Sequence, residues 1–160
     1  RKSGRMWKAG VMACGWGGFS GGKSGAAWQI AVNALRTDGQ LGRLRVGTHE
    51  GKIIGTKDLR DGRWHHVAVV LYGGSQADIG THVLVYIDGE LEEISARTLK
   101  EIRTDVESGS HGVWVGRNIT FHRDSGTAKG GFFRGGIDEI YIFDEALDQT
   151  HVRELGERNR

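Results

Sequence analysis

The sequence predicts an all-β domain, an antiparallel β-sandwich with one short C-terminal helix. Three observations carry this. Apolar residues recur with period two over much of the chain, the mark of strands that bury one face. Glycine makes up 27 of 160 residues while proline is absent, against roughly 7% glycine in ordinary chains. The glycines fall between short apolar runs, often as Asp-Gly or Gly-Gly, which is turn punctuation and not a linker. Finally, a helical pattern occurs only near the C-terminus, which favours a sandwich over an alternating α/β core.

The strands are expected, in order, at residues 11–16, 27–33, 41–46, 64–72, 83–88, 113–116 and 132–143, with weaker ones at 52–55 and 91–95. Turn signals separate them at Asp38-Gly39, Asp61-Gly62, Gly73-Gly74 and Asp88-Gly89. Asp88-Gly89 is the best hairpin: it follows Val83, Val85 and Ile87 and precedes Leu91, and Asp-Gly readily takes the positive φ angles of a type I′ turn. The run 64–72 is apolar on both faces, with Val67, Val69 and Leu71 on one and Trp64, Ala68 and Val70 on the other, so it is expected as a central strand covered on both sides. The expected core includes Val67, Val69, Val83, Val85, Ile140 and Ile142. In the terminal helix Asp148 is the expected N-cap, Val152 and Leu155 face the sheet, and Gly156 is the stop. The chain is divided accordingly into residues 1–10 as a tail or truncated start, 11–155 as the sandwich and 156–160 as a C-terminal tail. It opens on Arg1, so a native N-terminus is expected to have been removed.

Charge excludes some partners. Twenty-two basic and 20 acidic side chains leave a formal net charge of +2, which provides no broad footprint for nucleic acid or an anionic membrane. No run reaches the roughly 20 apolar residues of a membrane-spanning helix. Cys14 is the one cysteine, so there is no internal disulfide; within Val11-Met12-Ala13 it reads as a small buried hydrophobe, with a reactive thiol as the alternative.

Three segments, in this order, resemble the laminin-G-like branch of the concanavalin A-like lectin/glucanase superfamily. They are Asp61-Gly62-Arg63-Trp64-His65-His66-Val67-Ala68-Val69-Val70, then Val85-Tyr86-Ile87-Asp88-Gly89-Glu90, then Phe133-Arg134-Gly135-Gly136-Ile137-Asp138-Glu139-Ile140-Tyr141-Ile142-Phe143 followed by Ala146-Leu147. The resemblance implies a jelly roll of two antiparallel sheets, one of them concave. It also implies a module of a larger secreted or cell-surface protein that binds carbohydrate or protein, in some members with calcium at the rim. Members of the family usually carry earlier strands ahead of the segment corresponding to residues 11–16. Those strands are not found here, so the sheet containing residues 132–143 is expected to have an exposed edge, a dimer partner or a strand-donating neighbouring segment.

His65 and His66 are adjacent on a strand, point to opposite faces and cannot chelate one ion together; a zinc site would need further converging ligands. The structural reading is that one of them hydrogen-bonds within the sandwich, with Asp138, on the same face as Ile140 and Ile142, as its buried partner. The glycoside hydrolases of this superfamily use a Glu-x-Asp-x-x-Glu strand whose carboxylates work as a pair. No such triplet occurs, nor a Gly-x-Ser-x-Gly elbow, so no catalytic residue is assigned. Calcium needs six to eight oxygens, for which Asn118 and Asp124 in the polar loop are the candidates. A glycan platform needs an exposed aromatic beside polar groups: Trp16, Phe121 and His122, with Asn118 and Asp124, are the candidates, whereas Trp28, Trp64 and Trp114 read as core. The expected function is a non-catalytic binding module, most readily for a glycan and alternatively for a protein.

Overall fold

A computed structural model of the chain describes residues 10–18, 24–48, 51–73, 77–102, 113–117 and 132–158. Among these, the strands are β1 (Gly10–Gly18), β2 (Ser24–Val32), β3 (Arg43–Thr48), β4 (Lys52–Asp58), β5 (Val67–Leu71), β6 (Val83–Ile87), β7 (Glu90–Leu91), β8 (Ile94–Thr98) and β9 (Val113–Val115), followed by helix α1 (Gln149–Arg158). All pairings are antiparallel and form two sheets, one ordered β8-β4-β3-β2-β1-β9 and the other β5-β6-β7. Period two places Leu44, Val46 and Ile53 on the face of the large sheet that meets Val85 and Ile87 of the small one. Ile79 joins this cluster, and Met12, Ile30, Val67, Val69 and Val83 pack around it. This is the sandwich that the alternation predicts.

The Asp88-Gly89 hairpin forms as expected, with φ of 57° at Asp88 and 83° at Gly89. The weak strand at 91–95 is instead two strands in two sheets. The chain leaves β7 at Leu91 and re-enters at the edge of the large sheet at Ile94, crossing on Glu92 and Glu93. The Glu92 carboxylate anchors the crossing by accepting from the N–H groups of Thr56 and Lys57, the latter at 2.7 Å.

The expectation for residues 132–143 fails. Phe132 makes a single bridge with Arg117, and beyond it the segment joins no ladder. Ile140 and Ile142 are 48% and 69% exposed. The break lies at Glu139, whose φ of 51° takes the backbone out of the β region and ends the alternation that assigned Asp138 to the core. Asp138 is exposed, and its carboxylate accepts the N–H of Glu139 at 3.0 Å. The run 64–72 is likewise shorter than expected: β5 starts at Val67 and, among the described residues, pairs with β6 alone, which makes it an edge and not a centre. Trp64, expected in the core, is 71% exposed, its ring tip lying against Gly136, where a Cβ would come within 2.5 Å of it.

Helix α1 covers the outer face of the small sheet. Asp148 caps it by accepting from the N–H of His151 at 2.9 Å, three residues on, as an N-cap should. Val152 is buried against Val70 and Tyr86, with Ala68, Leu84 and Leu147 around them. Gly156 does not stop the helix. It lies inside it and admits the His66 ring, whose Nδ1 would be 2.9 Å from a Cβ there.

His65 turns away from this helix and is nearly buried. Its Nδ1 lies 2.9 Å from Asp88 Oδ2 and its Nε2 3.1 Å from Asp61 Oδ1. The partner expected at Asp138 is therefore Asp88. That carboxylate also takes the Lys57 ammonium and the N–H of His66. Burial raises the pKa of Asp88, but the hydrogen bonds from Lys57 and His65 together outweigh it and hold the carboxyl below its ordinary value. Asp58, at the end of β4, is held down to about 2, chiefly by the hydrogen bond from the Arg60 guanidinium, against some burial.

Two outcomes are expected. Asp88→Asn keeps a residue that tolerates the left-handed turn and removes the charge, so it should destabilise the domain by about 1–3 kcal/mol; a urea midpoint equal to that of the parent would contradict the bracing role. A carboxyl with a lowered folded pKa contributes stability above its unfolded value, near 3.9, and loses it as pH falls through the folded value. The urea midpoint should therefore not be lowered by these groups between neutral pH and about 5, and should fall steadily below about 4. A midpoint that holds its value down to about pH 2.5 would show that these ion pairs carry no stability.

Candidate binding face

The face of the large sheet turned away from the core carries a continuous set of side chains. Directly opposite residues in adjacent strands share a face, and the registers place Trp114, Cys14, Gln29, Gly47, Lys52 and Thr98 in one transverse row. The next row on the same face holds Val11, Ala31, Arg45, Ile54 and Ala96. An irregularity of β1 between Val11 and Ala13 lets Val11 and Cys14, three residues apart, point the same way. Cys14 is fully buried under Trp114, and its thiol donates to the carbonyl of Arg117 at 3.4 Å. It is the small hydrophobe that its sequence context predicts.

Gly47 marks a dip near the middle of the face. A Cβ there would come within 2.6 Å of Arg45 Nη1, so glycine is what lets the Arg45 guanidinium fold over the sheet. From that position Nη1 donates to Gln29 Oε1 at 3.4 Å and Nε to Asp38 Oδ2 at 3.0 Å, while Lys52 Nζ reaches Asp38 Oδ1 at 2.7 Å. Burial raises the Asp38 pKa, and the bonds from Lys52 and Arg45 overcome it, so the carboxylate is held below its ordinary value. Along the same strand the Arg43 guanidinium donates twice to Gln40 Oε1, at 2.9 and 3.1 Å, and lies 3.1 Å from Asp58. At the far end of the first row the Arg117 guanidinium stacks 5.7 Å from the Trp114 ring and 5.1 Å from that of Phe132, distances at which a cation is attracted to an aromatic face.

Asp38 owes its position to Asn33. That side chain is buried at the end of β2. Its Nδ2 donates to the carbonyls of Leu35, Gly39 and Gln40 at 2.9–3.2 Å, and its Oδ1 accepts the N–H of Leu35 at 3.1 Å. One amide thereby organises the backbone between β2 and β3, and Gly39 of that loop rests on Ile54. The result is a fixed array of amide, guanidinium, ammonium and carboxylate groups, able to donate and accept hydrogen bonds side by side.

The backbone of Trp16 is in β1, paired with Ala26. Asn118, Phe121, His122 and Asp124 fall outside the described residues. Among the described residues no group of three or more His, Cys, Asp or Glu side chains converges as a metal site. His65 and His66 are structural neighbours of Asp88 and of helix α1, and Asp138 has no part in either contact. What the strand expected at 41–46 did not bring out is the outward set of its alternation: Arg43, Arg45 and Gly47 interleave with Leu44, Val46 and Thr48, which places two cations on the face opposite the core.

Comparison with known proteins bears on the family. No curated protein matches the chain. A laminin G family model, described as Concanavalin A-like lectin/glucanases superfamily, matches residues 6–153. Together with the two antiparallel sheets and the terminal helix, that match over nearly the whole chain means that the protein belongs to the concanavalin A-like lectin/glucanases superfamily, in its laminin-G-like branch.

Proposed function

We propose that this domain is a non-catalytic binding module that recognises carbohydrate on the outer face of its large sheet. The observation that supports this reading is the Gln29–Arg45–Asp38–Lys52 array over Gly47, with a cation-stacked tryptophan at the end of the same row. Sugar hydroxyls donate and accept at once, and a face that offers both kinds of partner within hydrogen-bond reach, on rigid strands, suits them. The carboxylates nearby favour binding over turnover. A glycosidase needs one carboxyl that keeps its proton near neutral pH, whereas Asp38 and Asp58 are each clasped by cations and held ionised. A place at the cell surface or outside the cell, and calcium at Asn118 and Asp124, belong to the same proposal.

A second reading is an adhesion module for protein ligands, favoured by the exposed apolar run of Ile140, Tyr141, Ile142 and Phe143. The discriminating experiment is a glycan array with and without calcium, run on the parent and on Gln29→Ala and Lys52→Met. A glycan bound by the parent should lose about tenfold or more in affinity in each variant, as expected for a lost hydrogen bond to a charged or polar partner, with unchanged circular dichroism. Binding that both variants retain would move the site off this face. No glycan bound, with a protein ligand bound instead, would establish the second reading. Polysaccharide turnover abolished by changing one carboxylate would overturn the non-catalytic assignment.

A further inference from the structure

The hydrogen bonds around His82 admit one protonation state of its ring. His82 stands immediately before β6, and its Nδ1 is 3.1 Å from the backbone nitrogen of Asp78. A backbone N–H donates and never accepts, so Nδ1 is the acceptor and the ring proton sits on Nε2. The Thr81 hydroxyl, 2.8 Å from the same Nδ1, differs from the amide because a hydroxyl rotates to donate or to accept. A proton added at Nδ1 therefore leaves Thr81 a bond to make, but turns the Asp78 contact into two facing donors.

The segment that the Asp78 amide belongs to seats a core residue. Residues 77–80 run antiparallel beside residues 100–102. The N–H of Ile102 donates to the Ala77 carbonyl at 2.7 Å and that of Ile79 to the Lys100 carbonyl at 2.9 Å, with Asp78 opposite Glu101 between them. In that register the N–H of Asp78 points away from residues 100–102, and the His82 ring is the acceptor that it meets. The chain then turns back on itself: the N–H groups of Thr81 and His82 donate to the Asp78 carbonyl, that of Gly80 to Asp78 Oδ1 at 2.7 Å, and the Arg97 guanidinium to the Gly80 carbonyl. Held in this way, Ile79 is buried in the cluster between the two sheets and rests on Gly51.

Charge near the ring does not decide its state. Among the described residues, the charged groups of the surrounding elements are Asp78 of the segment itself, Arg97 of β8, and Lys100 and Glu101 beyond it, two of each sign. The other neighbours are Tyr72, whose ring lies 5.7 Å away and whose hydroxyl donates to the Thr81 carbonyl at 2.8 Å, and Gly73, where a Cβ would collide with ring Cδ2. Gly74, Ser75 and Gln76 bear no titratable side chain. Histidine is the side chain that ordinarily changes charge between about pH 5 and 8. We propose that His82 is a pH-sensitive latch: protonation of its ring releases the Asp78 amide and loosens the 77–80 segment that seats Ile79 between the sheets. The closed segment accepts the neutral ring, so proton uptake favours the opened one. The latch is shut at neutral pH and opens as pH falls through the histidine range.

Nuclear magnetic resonance on the full chain reads both the ring and the segment. At neutral pH the ring-nitrogen shifts should report the proton on Nε2. The exchange protection of the Asp78, Ile79 and Ile102 amides, taken relative to the intrinsic rate at each pH, should fall about fivefold or more between about pH 7 and 5, in step with the ring's titration. The amides of the β5–β6 ladder should keep their protection. His82→Asn places an amide oxygen where Nδ1 stands and cannot titrate, so in that variant protection of the segment should stay level over the same range. A neutral ring carrying its proton on Nδ1, or segment amides that stay protected while the ring takes up its proton, would show that there is no latch. An equal loss in the Asn variant, or a loss shared by the β5–β6 ladder, assigns the pH response to other groups and equally overturns the proposal.

Discussion

The Asp88 carboxylate is the interaction on which the arrangement of the two sheets depends most. It stands at a turn position whose positive φ suits aspartate, between β6 and β7 of the small sheet. From there it holds Lys57 of β4 in the large sheet, and His65 and the N–H of His66 on the segment that passes from the large sheet to the small one. A half-buried carboxylate is costly unless it is fully engaged, and here its oxygens are shared among a cation, an imidazole and a backbone donor. The residue that makes the two-residue turn between β6 and β7 is thus also a brace between layers. The short Glu92 crossing, a few residues later, repeats the device with backbone donors of Thr56 and Lys57.

The faces of the fold are used differently. The inner faces meet in an aliphatic core, and the outer face of the small sheet is closed by Val152 and its neighbours on helix α1. The outer face of the large sheet carries buried apolar residues of its own, Val11, Cys14, Ala31 and Ile54, and among the described residues no helix lies over it. Its polar side chains are instead held by one another, by the Asn33-organised loop, and by the space that Gly47 leaves. Side chains fixed in this way lose less freedom when they meet a ligand, which is why clasped ion pairs on a sheet face are compatible with recognition as well as with stability.

Much of the fold was legible because most of its strands pair with a sequence neighbour. The 83–88 run, the Asp-Gly turn, the Asp148 cap and the fully buried Cys14 are local decisions, written in alternation and turn chemistry. The errors arise where the outcome is not local. Residues 132–143 alternate as well as any strand, but alternation states only that a segment can lie in a sheet; a ladder also requires a partner, and the backbone at Glu139 turns away from the β region. The pairing of Asp138 with His65 or His66 rests on a face shared with Ile140 and Ile142 that this turn abolishes. Trp64 reads as core from the strand pattern expected over 64–72, although the strand begins only at Val67. The Arg45 site was hidden for the opposite reason: the alternation in β3 was plain, but the glycine that admits the guanidinium and the asparagine that delivers Asp38 act across strands, and nothing in their own neighbourhoods distinguishes them from turn residues.

The requirement that every strand find a partner then explains why the edges differ. A sheet whose strands all pair still ends somewhere, and each end must meet water, charge or another chain. The large sheet ends on strands that are charged or short. The small sheet ends on one side at a two-residue strand beside a helix. On the other side, among the described residues, it ends at β5, a wholly apolar strand whose inward side chains Val67 and Val69 belong to the core and therefore cannot be replaced by the charges that would blunt an edge. A strand that must be apolar to hold two layers together cannot also be polar enough to discourage pairing, so the residues that close the sandwich here leave no room for the charges that blunt the other edges.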